Sequence, residues 1–190
     1  MKFIIIWKNI LSFIILTFLS TSSIFSQENN STASSNVSIL EKEFLIPELN
    51  TVSHKIWVYL PPNYHSSTKK YPVIYMHDAQ NLFDDDTSYV GEWKIDEYLD
   101  SISEKEIIVI GIEHGNENRI DELTPFPNTK YGGGKGDDYL LFIKNTLKPY
   151  IDITYRTKPK AINTTIFGSS LGSSVPNVST ASTIGVAGAT

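Results

Sequence analysis

Gly168-Ser169-Ser170-Leu171-Gly172 forms a G-x-S-x-G run directly behind an apolar stretch that ends at Phe167. A serine forced onto a tight strand-to-helix turn projects its hydroxyl clear of the sheet. Such a turn asks for small residues two positions to either side, because bulk there collides with neighbouring backbone. Ser170 is the central residue and the candidate nucleophile. The backbone N–H of Leu171 would supply one donor of an oxyanion hole, and the start of a following helix would add partial positive charge. The chemistry this suits is acyl transfer, in which a serine ester forms and is then hydrolysed. A Gly/Ser surface loop is the plain alternative, and the position after a strand in an α/β pattern favours the elbow.

Other polar clusters fit their best-known chemistries poorly. Gly132 to Gly136 is not a phosphate loop, since Thr129 stands where a glycine is needed and Lys135 is followed by Gly136 rather than Ser or Thr. Asp84-Asp85-Asp86 lacks the turn glycine of a calcium loop. Both read as surface loops. His77 and His114 each end a candidate strand and tempt assignment as the base for Ser170. Cysteine is absent, which excludes disulfides, thiolate metal sites, cysteine nucleophiles and a lipid anchor on an N-terminal cysteine. No metal and no cofactor is expected. Sixteen basic against twenty-one acidic residues, net charge −5, with no basic block, give little reason to bind a phosphate backbone, so nucleic acid is not an expected partner.

The elements that must hold Ser170 follow from hydrophobic patterning. The chain has 190 residues, 41% hydrophobic and 12% aromatic, as for one ordinary globular domain. Lys55 to Leu60 alternates like a half-buried strand. Val73 to Met76 and Ile107 to Ile112 are continuous apolar runs, as in strands covered on both faces, and Ile162 to Phe167 is a fourth candidate. Trp93 to Ile102 has a helical pattern. So has Asp137 to Ile151, where Leu140, Ile143, Leu147 and Ile151 fall three to four apart behind an Asp137-Asp138 start. Strands alternating with helices imply a mostly parallel α/β sheet with flanking helices.

At the N-terminus, Lys2 and Lys8 precede an apolar run from Ile10 to Leu19 and then small polar residues, the layout of a signal peptide over residues 1–26 with cleavage after Ser26 or Ser23. An uncleaved anchor is the alternative, but Lys8 interrupts the apolar stretch and no stable membrane anchor is expected. The mature chain is expected in the periplasm or the medium. Residues 27–42, polar and rich in Asn, Ser and Thr at their start, read as a flexible linker ahead of a domain over 43–172.

Four blocks in order resemble the esterase branch of the α/β-hydrolases, which includes esterase D-like enzymes, feruloyl and acetyl-xylan esterases, and siderophore esterases of the enterochelin type. They are Trp57 to Tyr64 (WVYLPPNY), Tyr71 to Phe83 (YPVIYMHDAQNLF), Gly111 to Gly115 with Arg119 and Glu122 to Pro125, and Gly168 to Gly172. Gly133-Gly134-Lys135-Gly136 before the second helix adds to the likeness to the group containing the periplasmic siderophore esterases. The resemblance implies an α/β-hydrolase fold, Ser170 as nucleophile, and a second oxyanion donor at the N–H of Ala79 or of Gln80. It places His77 and His114 in blocks kept for loop structure, and it implies a small-molecule ester substrate: a siderophore, acyl or carbohydrate ester.

Downstream the sequence departs from that pattern. In α/β-hydrolases the acid and then the histidine follow the nucleophile, yet Leu171 to Thr190 contains no Asp, Glu, His, Lys or Arg. Ser173-Ser174-Val175-Pro176-Asn177 is a weak helix start, and 173–190 reads as an atypical Ser/Thr/Gly/Ala tail. The expectation is therefore the N-terminal half of the fold only, from a truncated or frameshifted frame, with the last strand left as an unpaired edge. A catalytically silent product or a ligand-binding remnant is the alternative to an active serine esterase.

Overall fold

A computed structural model describes residues 31–46, 49, 51–52, 54–102, 104, 106–174 and 185–189. The signal-peptide segment 1–26 lies outside the described residues. Among those described, no helix is long and apolar enough to cross a membrane.

Among the described residues eight strands occur: β1 Val37–Ile39, β2 Leu45–Ile46, β3 Thr51–Val52, β4 Ile56–Tyr59, β5 Val73–His77, β6 Ile108–Ile112, β7 Thr164–Ser169 and β8 Gly185–Ala189. The main sheet runs β1-β4-β6-β5-β7-β8, and β2 pairs with β3 in a separate antiparallel hairpin. β6, β5, β7 and β8 are mutually parallel, whereas β1 and β4 are antiparallel at the other end. The helices are α1 Ile95–Ser101, α2 Arg119–Leu123, α3 Gly136–Phe142 and α4 Lys148–Thr154. Between α3 and α4 the helix continues as a π-type turn over Ile143–Leu147. Pro149, at the start of α4, has no N–H to give to the preceding turn, which accounts for the widened ladder just ahead of it.

Both faces of the sheet are covered. Ile56 and Val58 of β4, Val73 and Tyr75 of β5, and Ile108, Ile110 and Ile112 of β6 pack with Leu140, Phe142, Ile143, Leu147 and Ile151 of the long helix. Trp57, Tyr59, Met76 and Val109 face the other way, against Leu82, Phe83, Ile95 and Leu99. This period-two division corrects the half-buried reading of Lys55 to Leu60, since all four residues of β4 are buried. Burial of these side chains, about 1.5–3 kcal/mol each relative to exposure, is what offsets the backbone entropy of ordering the strands.

Two expectations fail on this architecture. Part of the segment read as linker is a strand, with Val37, Ser38 and Ile39 pairing to Tyr59, Val58 and Trp57. Ahead of it, Ser31 Oγ donates to Asp84 Oδ2 at 2.6 Å, Ser34 N to Asp96 Oδ2 at 2.7 Å, and Asn36 Nδ2 to Asp100 Oδ1 at 3.0 Å. Polar side chains here are held by carboxylates far away in sequence, so local polarity does not mean disorder. The edge of β7 is also covered, since β8 pairs with it in parallel, Thr165 to Gly185 through Ser169 to Ala189. Ladder hydrogen bonds use backbone groups alone, so a Gly/Ala run can supply them.

Gly111 marks where the sheet is tightest under the loop that leaves β5. A Cβ built there would lie 2.8 Å from Ala79 Cβ and 3.1 Å from Phe83 Cε2. Gly111→Ala is therefore expected to cost about 1–3 kcal/mol through overpacking, read as a lower midpoint in urea with unchanged slope. A midpoint equal to that of the parent chain would show that the loop yields without cost.

Candidate active site

Neighbouring parallel strands place the motif blocks side by side. Met76 of β5 is opposite Phe167 of β7, and His77 is opposite Ile112 of β6, so the loops after β5, β6 and β7 all leave the sheet at its carboxyl edge. That edge is where open α/β sheets place their ligand crevice.

At the end of β7 the chain turns sharply. Ser170 has φ 53 and opens a 3-10 turn that runs Ser170–Ser174; such positive φ costs a non-glycine residue about 1–3 kcal/mol. Its side chain is exposed while Gly168 and Gly172 on either side are buried. A Cβ on Gly168 would sit 2.6 Å from the backbone carbon and oxygen of Gly172 and 2.8 Å from His77 Cδ2. One on Gly172 would meet His77 Cβ at 3.4 Å, an ordinary contact. The turn is thus sterically closed at its first glycine and only snug at its second.

The loop after β5 is shaped by a second left-handed residue. Asp78 has φ 58 and opens a 3-10 turn over Ala79–Asn81. Arg119 grips it bidentately, Nε to Oδ1 and Nη2 to Oδ2, each at 2.7 Å. The same ion pair raises the Arg119 guanidinium further above its ordinary value. Ala79 is buried between Gly111 and the β5 end, and Gln80 is half-buried. The first N–H groups of such a turn have no partner within it.

Arg119 belongs to α2, which at five residues is too short to be stable alone. Its side chains tie down three loops. Arg119 holds the loop after β5. Glu122, fully buried, accepts from Gly115 N at 3.1 Å and pairs with His54 Nε2 at 2.9 Å, fixing the loop after β6. Asp121 Oδ1 accepts from Gly133 N at 2.6 Å and Oδ2 pairs with Lys135 Nζ at 3.0 Å, closing the glycine loop before α3. Gly132, Gly133 and Gly134 all have positive φ there, so this run serves a turn. Sequence reading found Arg119 and Glu122 as parts of a motif block without seeing that they act through backbone N–H groups and the Asp78 carboxylate.

His77 and His114 are both committed to structure. His77 is buried, its ring edge lies against the elbow, and Nδ1 shares a 3.1 Å hydrogen bond with the Tyr139 hydroxyl. Burial, aided by the nearby Arg119 charge and opposed by Asp78, pulls its pKa down to about 4. A base that weak is poorly matched to neutral pH. Burial also pushes the Tyr139 phenol well up, so it stays protonated. His114 Nδ1 accepts from Asn116 N at 2.9 Å, closing its own loop. Asp84 of the triple-aspartate run is buried and binds Ser31, Thr32 and Asp86, which is more than a surface-loop role.

Residues 49–176 match the family model Esterase, described as "Putative esterase". The chain is 31% identical over 144 residues to the uncharacterized protein YjcH of Bacillus subtilis, covering 75% of this chain and 55% of that protein. Identity to the uncharacterized YbbA of the same organism is 30% over 130 residues, covering 63% and 48%. Among solved structures, an IroE-like serine hydrolase from Shewanella oneidensis superposes with TM-score 0.59 at 24% identity, covering 73% of this chain and 44% of that one. The enterobactin esterase FES from Shigella flexneri, solved with enterobactin, gives 0.56 at 13% identity, covering 76% and 33%. The chain spans about half the length of the curated relatives it matches.

The depressed His77 pKa makes a prediction about acid stability. Folded His77 stays neutral down to about pH 4, whereas the unfolded imidazole takes its proton near its ordinary value of 6.5. Between those values the unfolded state binds more protons, so stability should fall as pH falls from 6.5 towards 4, by up to about 3 kcal/mol. Thermal midpoints across that window are expected to drop for the parent chain and to flatten in His77→Gln. Equal slopes in the two proteins would remove His77 as the cause.

Proposed function

Because the chain belongs to the Esterase family and has the α/β-hydrolase fold, we propose that it is an exported serine hydrolase that acts on carboxylic esters through an acyl-enzyme on Ser170. The observation that carries this reading is the left-handed Ser170, exposed at the tip of a turn whose first glycine admits no side chain. Strain of this kind persists where surrounding contacts over-determine it, as they do for a nucleophile elbow.

In this reading Ser170 Oγ attacks the ester carbonyl as a base takes its proton. The tetrahedral oxyanion is received by the N–H of Leu171 and by that of Ala79 or Gln80, held in place through Asp78 and Arg119. The C–O bond to the alcohol then breaks, the base returns its proton to the leaving oxygen, and water hydrolyses the acyl-serine by the same steps in reverse. A small-molecule ester, whether of a siderophore, an acyl chain or a carbohydrate, is the substrate class. Export rests on the Lys2 and Lys8 charges ahead of the Ile10 to Leu19 run, with the mature protein in the periplasm or medium.

A second reading has its own observation. Leu171 to Thr190 has no acid and no histidine, and the two site-edge histidines are held in structural hydrogen bonds, so the chain as written would be catalytically silent. The two readings part on one assay with two proteins. In a full-length version carrying the downstream acid and histidine, hydrolysis of p-nitrophenyl acetate is expected to fall by about 10³-fold or more in Ser170→Ala, with the fold retained, whereas Ser169→Ala should be mild. In the 190-residue chain itself, turnover is expected to equal that of its Ser170→Ala variant. Undiminished turnover in the full-length Ser170→Ala protein would sink the nucleophile assignment; Ser170-dependent turnover in the 190-residue chain would sink the silent reading.

A further inference from the structure

The carboxylates of Glu92, Asp96 and Glu97 offer oxygens that all lie within 4.8 Å of one another, on the face of the sheet opposite the long helix. Two of them are part of the first turn of α1, where negative charge suits the helix dipole, but that does not explain why Glu92 converges on them from the preceding loop. Asp96 is fully buried. Its Oδ2 accepts from Ser34 N at 2.7 Å, while its Oδ1 has no hydrogen-bond partner, nor has the buried Oε2 of Glu92. A buried carboxylate oxygen without a donor costs several kcal/mol, and two more acids nearby add repulsion. Either a shared proton or a cation must relieve that.

We propose that Glu92, Asp96 and Glu97 bind a divalent cation of the calcium type. An ion about 2.3–2.6 Å from each oxygen spans oxygen pairs up to about 5 Å apart, which fits the observed spread, whereas a magnesium ion at about 2.1 Å would require the three to draw in. The donors are all carboxylate oxygens, a hard set that does not select zinc or copper. Water fills the remaining positions. The site joins three pieces of chain: Ser34 on Asp96, Asp85 Oδ1 accepting from Glu92 N at 3.3 Å, and the loop after β5, whose Asn81 and Leu82 carbonyls accept from Trp93 N and Ile95 N at 2.8 and 3.1 Å. An ion bound here therefore braces the loop that carries Ala79 and Gln80.

The test uses the full chain and calcium alone. Isothermal calorimetry is expected to show one calcium bound with a dissociation constant in the range of about 10⁻⁴–10⁻³ M, and about 5 mM calcium should raise the thermal midpoint by about 5 °C, with a smaller shift for magnesium. Terbium should bind in calcium's place and luminesce on excitation of Trp93, one residue from Glu92, and calcium should quench that signal by displacement. Asp96→Asn is expected to abolish all three effects. Glu97→Gln, at an exposed position where folding is not at stake, should weaken binding about tenfold or more. A parent chain with no heat and no midpoint shift would overturn the site in favour of a shared proton, and responses unchanged in Glu97→Gln and Asp96→Asn would place the ion elsewhere. None of these readouts depends on ester hydrolysis.

Discussion

The end of β7 passes so close to His77 and to the returning backbone at Gly172 that position 168 has no room for a side chain. Much of the site edge follows from that one steric limit. The strand can approach its neighbour β5 only as glycine, and the chain then turns within two residues, which leaves Ser170 exposed with a positive φ. His77 is pressed between the turn and Tyr139, so its imidazole is desolvated and kept neutral. A residue that looks like a base in the sequence thereby becomes a packing surface for the elbow.

A second constraint organises the loops around that turn. α2 gains little from its own hydrogen bonds and owes its place to ionic and backbone contacts made by Arg119, Asp121 and Glu122. Each of these acids and bases reaches a different loop, so the loops after β5 and β6 and the loop before α3 are fixed relative to one another through one short element. Gly115 is bound to this arrangement, because a Cβ there would lie 2.4 Å from Glu122 Oε2. The Asp78–Arg119 pair is partly shielded from solvent and bidentate, the geometry in which an ion pair holds orientation as well as charge.

The strands at Val73 and Ile108 and both helices could be read from the sequence because their apolar spacing reports burial directly, whereas the fourth strand begins at Thr164, two residues later than its apolar run suggests, since Ile162 is exposed in a 3-10 turn. The tight turn after that strand could be read because small residues two apart from a serine report crowding. What stayed hidden depended on partners far along the chain. Ser31 to Asn36 has the composition of a linker, yet it is fixed by the buried Asp84 and Asp96 and the half-buried Asp100, acids whose pairing no local pattern signals. The alternation of Lys55 to Leu60 reads as a half-buried strand, whereas Ile56 and Val58 and, on the opposite face, Trp57 and Tyr59 are all buried. The strand β8, Gly and Ala apart from Val186, carries a weak hydrophobic signature, and its pairing with β7 rests on backbone groups.

These hidden contacts have a common logic. On the α1 side of the sheet, carboxylates at the border of the apolar cluster of Leu82, Phe83, Ile95 and Leu99 hold the segment ahead of β1 in place. Asp100 accepts from both the Tyr59 hydroxyl at 2.7 Å and Asn36, and Asp84 accepts from Ser31, Thr32 and Asp86. A buried carboxylate has to be satisfied wherever the chain can find donors, and here the donors come from the segment just ahead of β1. The polar start of the domain is thus required by the acids it meets, and the loop after β5 inherits its position from both sides: from Arg119 through Asp78, and from the acid-lined strap through Asp84. If Ser170 is the nucleophile we propose, it would have one oxyanion donor instead of two without that loop, which is why residues as far from Ser170 in sequence as Ser31 belong to the physical description of the proposed site.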